Sequence, residues 1–131
     1  MDKIKTKTKR LINSFKYAFE GIATSFKTER NMKIHIVMAI LVVIVGLFIK
    51  ITKIEWILCI FSIAIVIASE LFNTAIETIV DMITEEKNEK AKIAKDVSAG
   101  AVFINAIGAA IIGIIIFMPK IYNYFIKLLD K

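Results

Sequence analysis

Glu70, Asn73, Glu77 and Asp81 carry the chemistry this sequence offers. Glu70 follows fourteen uncharged residues, Trp56 to Ser69, and opens the string Glu70-Leu71-Phe72-Asn73-Thr74-Ala75-Ile76-Glu77-Thr78-Ile79-Val80-Asp81. A helix advances about 100° per residue, which sets Asn73, Glu77 and Asp81 at about −60°, about −20° and about +20° from Glu70. The four polar groups share one face about 80° wide over three turns. A carboxylate at hydrocarbon depth costs at least ~2.5–3.5 kcal/mol to insert, so its presence there points to function. Two or more carboxylates and an amide form an all-oxygen set suited to a hard cation. Magnesium fits best, because it takes one or two carboxylates and completes its shell with phosphate and water. A poorly hydrated carboxylate is also suited to act as general base for a weakly acidic hydroxyl. Lys95, further along, is a natural phosphate partner. Together these groups suit phosphoryl transfer from a soluble donor to a membrane alcohol. Spacing alone leaves two further readings open: a proton or cation pathway, and hydrogen bonding between helices.

The elements that position these groups follow from hydropathy. The 131 residues are 57% hydrophobic, with mean hydropathy +0.70 and one proline. This balance is too apolar for an ordinary soluble domain, and it predicts an all-α integral membrane protein built as one domain over 1–131. Residues 8–28 read as an amphipathic surface helix. Leu11, Phe15, Ala18, Ile22 and Phe26 line one side, and Lys9, Lys16, Glu20 and Lys27 the other. Three transmembrane helices are expected over 33–50, 55–84 and 92–119. The first has 16 uncharged residues, Ile34 to Ile49, bracketed by Lys33 and Lys50, whose stems extend it. The second begins near Trp56, an interfacial anchor, after a tight charged turn over 51–55. Residues 84–92, with Glu85, Glu86 and Glu89, read as a solvated loop. The third contains 23 uncharged residues, Val97 to Pro119. The tail after Lys120 is short and weakly amphipathic.

Charge sets the orientation. Nine Lys/Arg precede the first span and four lie between the second and third, against five on the other side. The positive-inside rule therefore puts the N-terminus and the 84–95 loop in the cytoplasm. Glu70 then lies about 22 Å along the second helix, one or two turns beneath the cytoplasmic boundary. Glu77 falls near that boundary and Asp81 among the headgroups. Glu29, Lys95 and Asp96 come to the same level from the other spans. The net charge of +6 suits anionic lipid headgroups rather than nucleic acid. The single cysteine, Cys59, excludes an internal disulfide and reads as a small buried side chain. No cleavable signal peptide is expected, because charge interrupts the first thirty residues throughout. No G-x-x-x-x-G-K-[ST] exists, which excludes a soluble P-loop kinase.

The string Glu70-x-x-Asn73-Thr74-Ala75-Ile76-Glu77-x-x-Val80-Asp81, with Ala94-Lys95-Asp96 and Ala101-Val102 after it, resembles the small prokaryotic diacylglycerol kinases. The likeness extends over nearly the whole chain. It implies a homotrimeric, ATP- and magnesium-dependent lipid kinase of the bacterial cytoplasmic membrane, with active sites shared between subunits on the cytoplasmic side. By this resemblance Glu70 is the catalytic base, and Glu29 and Glu77 are the magnesium ligands. Asn73 and Asp81 support the site. Arg10, Tyr17, Glu29, Glu77, Glu86, Lys87, Asn88, Lys95 and Asp96 are the nucleotide contacts, with Lys95 on phosphate. The run Val97-Ser98-Ala99-Gly100-Ala101-Val102 replaces the Gly-Ser-Ala-Ala of Gram-negative members. Together with Asn31-Met32-Lys33-Ile34-His35 it resembles the Gram-positive branch, whose preferred substrate is undecaprenol; diacylglycerol is the alternative acceptor. A small oligomeric channel or transporter using Glu70 as its ion site is the competing class. A phosphate-binding lysine at the rim is foreign to it.

Other polar residues have plainer expectations. His35 is expected to be satisfied by a neighbouring helix. Asn105 is expected to hydrogen-bond between helices, and Gly46, Gly108 and Gly113 to permit close helix approach. Phe15, Phe19 and Phe26 are expected to contact membrane.

Overall fold

The computed structural model describes residues 2–84 and 86–129, with Met1, Glu85, Asp130 and Lys131 outside them. Among the described residues there are four helices: α1 (Asp2–Thr28), α2 (Arg30–Ile49), α3 (Lys53–Ile83) and α4 (Glu89–Leu129). α2, α3 and α4 are each long and apolar enough to cross a membrane. The chain is thus an all-α membrane protein with three spans after an N-terminal amphipathic helix, as the hydropathy predicts. α1 begins earlier than residue 8 and ends at Thr28.

α3 and α4 form the most extensive interface, as an antiparallel pair. Their polar contacts read in opposite directions: Asp81 meets Lys95, Asn73 meets Ser98, Ser69 meets Asn105, and Glu55 meets Lys120. α2 packs on α3, and α1 touches both. Little of the apolar surface is covered within one chain. Only 22% of the most apolar window of α3 is buried, and 11% in α2 and α4. Burial against lipid or against further copies must therefore complete the fold.

The connections differ from the expected ones in instructive ways. A single residue, Glu29, separates α1 from α2. It is extended at φ −93°, ψ 124°, and its N–H donates to Ser25 O at 2.8 Å. The turn between α2 and α3 is shorter than 51–55, since α3 already starts at Lys53. Thr52 and Glu55 form a capping box: Glu55 Oε2 accepts from Thr52 N at 2.6 Å, and Thr52 Oγ1 accepts from Glu55 N at 3.4 Å. Lys50 closes α2 in the left-handed region at φ 54°, ψ 60°. The 84–92 loop is likewise shorter, because Asn88 Oδ1 accepts from Lys90 N at 2.9 Å and caps α4.

Pro119 does not end the third span. α4 runs through it to Leu129. Membrane helices tolerate proline where neighbours support the chain. Here Lys120 pairs with Glu55 at 3.3 Å, and the Tyr124 ring meets Phe48 edge-on at 5.6 Å. Gly46 allows the expected close approach, since a Cβ there would lie 3.0 Å from the Trp56 ring. Gly108 and Gly113 do not: a Cβ at either meets nothing within 4 Å. Cys59 is buried, as expected. Phe15, Phe19 and Phe26 are exposed on α1, in position to meet membrane.

Candidate active site

The buried residues of α3 are Cys59, Ser62, Val66, Glu70 and Asn73. Their spacing of three or four makes one stripe, apolar toward Cys59 and polar from Glu70 onward. Glu70 is the most enclosed polar residue of the stripe, 1% exposed. His35, from α2, brings Nε2 to 3.1 Å from Glu70 Oε1. The two atoms touch without forming a hydrogen bond, and Oε1 is buried with no hydrogen-bond partner among the described residues. His35 thus meets a neighbouring helix as expected, but leaves the carboxylate oxygen incompletely satisfied.

Asn73 links the deep acid to the next one. Its Nδ2 donates to Glu77 Oε1 at 3.0 Å, and its Oδ1 accepts from Ser98 Oγ at 2.6 Å across the α3–α4 interface. Thr74 Oγ1 donates to Glu70 O at 2.9 Å and lies 2.9 Å from Ser25 Oγ. A hydroxyl has one proton, so Ser25 is the donor in that second contact. Ser25 is 2% exposed and fastens α1 onto α3 beside Glu70. Glu29, half-buried between α1 and α2, and Glu77 both lie within electrostatic range of the Glu70 carboxylate.

The other candidate residues are placed less centrally. Lys95 Nζ contacts Asp81 Oδ1 at 2.5 Å. Asp96 points elsewhere, toward Lys92 at 3.5 Å, so the two neighbours diverge. Glu86, Lys87 and Asn88 are exposed in the linker before α4. Arg10 and Tyr17 are exposed on α1, about 22 Å and about 12 Å along its axis from Ser25. One chain brings Glu29, His35, Glu70, Asn73, Glu77 and Ser98 together but leaves Arg10 remote. Ser98 and Ser25 carry structural contacts that the motif did not flag. Ser98 stands three residues after Lys95, which places both on one side of α4 and was the available signal. Asn105 makes its expected inter-helix bond, Nδ2 to Ser69 Oγ at 2.6 Å.

Beneath this polar cluster an apolar cleft of about 560 Å³ opens between α2, α3 and α4. Its walls include Ile34, Val42, Ile63, Val66, Ala109 and Phe117, with His35 at the end nearest Glu70. Among the described residues no three His, Cys, Asp or Glu side chains form a ready-made metal cage. Two carboxylates near a third are nonetheless a donor set that magnesium accepts, since it draws most of its ligands from phosphate and water.

Known proteins share this sequence over most of its length. The model of the prokaryotic diacylglycerol kinase family matches residues 16–117. The undecaprenol kinase of Bacillus subtilis is 42% identical over 112 residues, covering 86% of this chain and 91% of that protein. A diacylglycerol kinase of Synechocystis is 35% identical over 114 residues, covering 86% of this chain and 65% of its own length. The diacylglycerol kinase of Haemophilus influenzae is 40% identical over 105 residues, with 80% and 86% covered. The chain belongs to the prokaryotic diacylglycerol kinase family and is a membrane lipid kinase.

Proposed function

We propose that this lipid kinase transfers the γ-phosphate of ATP to undecaprenol, giving undecaprenyl phosphate. The observation that carries the reading is Glu70, buried with an unsatisfied oxygen beside the head of an apolar cleft. The likeness to the Bacillus subtilis undecaprenol kinase supports that acceptor. The likeness to the diacylglycerol kinases makes diacylglycerol the competing one.

In this reading the lipid hydroxyl gives its proton to the Glu70 carboxylate. Its oxygen forms the new bond to the γ-phosphorus. The bond from that phosphorus to the β,γ-bridging oxygen breaks, and ADP leaves. Asn73 holds Glu77 in place, and Glu29 and Glu77 are the residues that would hold magnesium. Bound there, the ion neutralises charge on the phosphates. Lys95 exchanges Asp81 for phosphate, and Asp96 and the 86–88 segment border the nucleotide. Arg10 stands about 22 Å along α1 from Ser25, remote from the Glu70 of its own chain. Its use as a nucleotide contact, together with Tyr17, fits a homotrimer with sites shared between copies, as does the exposed apolar surface of the spans. The excess of Lys and Arg before the first span and between the second and third supports a cytoplasmic position for this end of the molecule.

The test is an acceptor comparison. Purified protein in mixed micelles receives radiolabelled ATP and magnesium with undecaprenol, diacylglycerol or a short-chain alcohol. Preferential labelling of undecaprenol is expected. Preference for diacylglycerol replaces the acceptor, and no labelled lipid in any arm overturns the kinase reading.

A further inference from the structure

The geometry points to His35 as a positioning residue for Glu70, placed to turn its imidazole N–H onto the carboxylate and fix it at the mouth of the apolar cleft where an alcohol hydroxyl arrives. This rests on the kinase reading above and adds a residue to it.

Three observations converge on one place. His35 Nε2 and Glu70 Oε1 are 3.1 Å apart, on different helices, with side chains 21% and 1% exposed. His35 also lines the cleft, whose other walls are almost wholly hydrocarbon. Glu70 Oε1 has no hydrogen-bond partner although it is buried. A buried carboxylate oxygen without a donor is costly, so a neighbouring N–H or a hydroxyl entering from the cleft is favoured to engage it. Either lone pair of that oxygen remains open to a donor. A small shift of the imidazole supplies one, and a hydroxyl entering from the cleft supplies the other.

The stripe on α3 explains why the hydroxyl comes here. Cys59, Ser62, Val66 and Glu70 succeed one another along a single face, and the cleft borders the first three. An apolar chain lying on that face has its polar end at Glu70. His35 stands over the junction between hydrocarbon and acid. An ammonium or guanidinium at this position would bring a permanent charge to the membrane-level cleft. An imidazole can provide an N–H without carrying a permanent one. The expected contribution is to orientation. Without the donor, Glu70 samples rotamers that face away from the hydroxyl, which lowers kcat and leaves ATP binding alone.

Two variants and one spectroscopic signal test this. In His35→Leu, kcat with the preferred lipid alcohol is expected to fall at least tenfold, with KM for ATP within twofold of the parent. His35→Gln places an amide N–H near the Nε2 position and is expected to restore kcat to within threefold. His35 is the only histidine in the sequence, so nitrogen-labelled histidine in untagged protein gives one imidazole pair. Its Nε2 resonance is expected to move in Glu70→Gln and again when the lipid alcohol is added. Undiminished kcat in His35→Leu overturns the inference. So does a folded His35→Gln as impaired as His35→Leu, or an Nε2 resonance that ignores both perturbations. If the leucine variant does not fold, the glutamine variant and the resonance decide. A parent that phosphorylates no lipid alcohol removes the kinase reading and this inference together. An active parent matched by His35→Leu removes this inference alone.

Discussion

Ser98 Oγ donates to Asn73 Oδ1 at 2.6 Å across the α3–α4 interface, and this bond decides which end of the amide faces Glu77. With its oxygen engaged by Ser98, Asn73 presents Nδ2 to the Glu77 carboxylate. A flipped amide would set oxygen against oxygen. Both residues are 6% exposed, so water is a poor substitute for either partner.

Ser98→Ala is therefore expected to act on Glu77 without touching it. Loss of one buried hydrogen bond costs about 1–3 kcal/mol, because Asn73 Oδ1 is left without its donor. A lowered melting temperature in detergent is the stability readout. The kinetic readout is magnesium dependence. The concentration for half-maximal activity should rise severalfold while KM for the lipid stays near the parent's. An unchanged magnesium profile would separate Asn73 orientation from metal binding.

Glu70→Gln is expected to lower kcat by at least a hundredfold, the usual range for loss of a general base. Stability should move the other way. The replacement removes a carboxylate that is buried with an unsatisfied oxygen, so the melting temperature should hold or rise. The two measurements together distinguish a catalytic base from structural glue. Glue would lose stability and spare the chemistry.

The pairing of residues into helices was legible because hydropathy and helical period are local properties. Glu70, Asn73 and Glu77 could be put on one face from spacing alone, and they are found there. Asn105 was expected to bond between helices and does. The ends of elements were less legible. Thr52-x-x-Glu55 is a capping-box pattern, yet its charge makes it read as a turn. Pro119 looks like a stop, but Glu55 and Phe48, both more than sixty residues earlier, support the chain beyond it. Contacts such as Ser25 with Thr74 and Ser98 with Asn73 depend on how helices cross, which no single period reports. Gly108 and Gly113 were expected at close crossings and instead face open space within the chain.

Lys95 and Asp81 form an exposed pair in which each side chain has other options in solvent. Exposed pairs contribute little to stability. Asp81→Asn is therefore expected to leave the melting temperature nearly unchanged. If Lys95 leaves Asp81 to bind phosphate, Lys95→Ala should raise KM for ATP at least tenfold, with lipid KM unaffected. Asp81→Asn should lower KM for ATP or leave it alone, because it releases the lysine. Equal loss of ATP affinity in both variants would show instead that the intact pair is the binding unit. Steady-state kinetics with ATP varied at saturating lipid separates these cases.

Gly46 tests the far end of the molecule, where no catalytic group lies. A Cβ at this position would stand 3.0 Å and 3.1 Å from two atoms of the Trp56 ring and 3.1 Å from the Ile51 side chain. Ile51 has a flexible end, but the indole is a rigid plate on the first turns of α3. Gly46 also accepts, through its carbonyl, the N–H groups of both Lys50 and Ile51, so α2 cannot easily back away. The ring or the α2–α3 turn must therefore shift. Overpacking of this kind costs about 1–3 kcal/mol, against a helix-propensity gain from alanine of at most about 1 kcal/mol. Gly46→Ala is expected to lower the melting temperature while kcat per folded molecule stays near the parent's. Thermal unfolding in detergent, with activity normalised to folded protein, reads both quantities. A matching fall in kcat would mean that the α2–α3 turn is coupled to Glu70 along the length of the bundle.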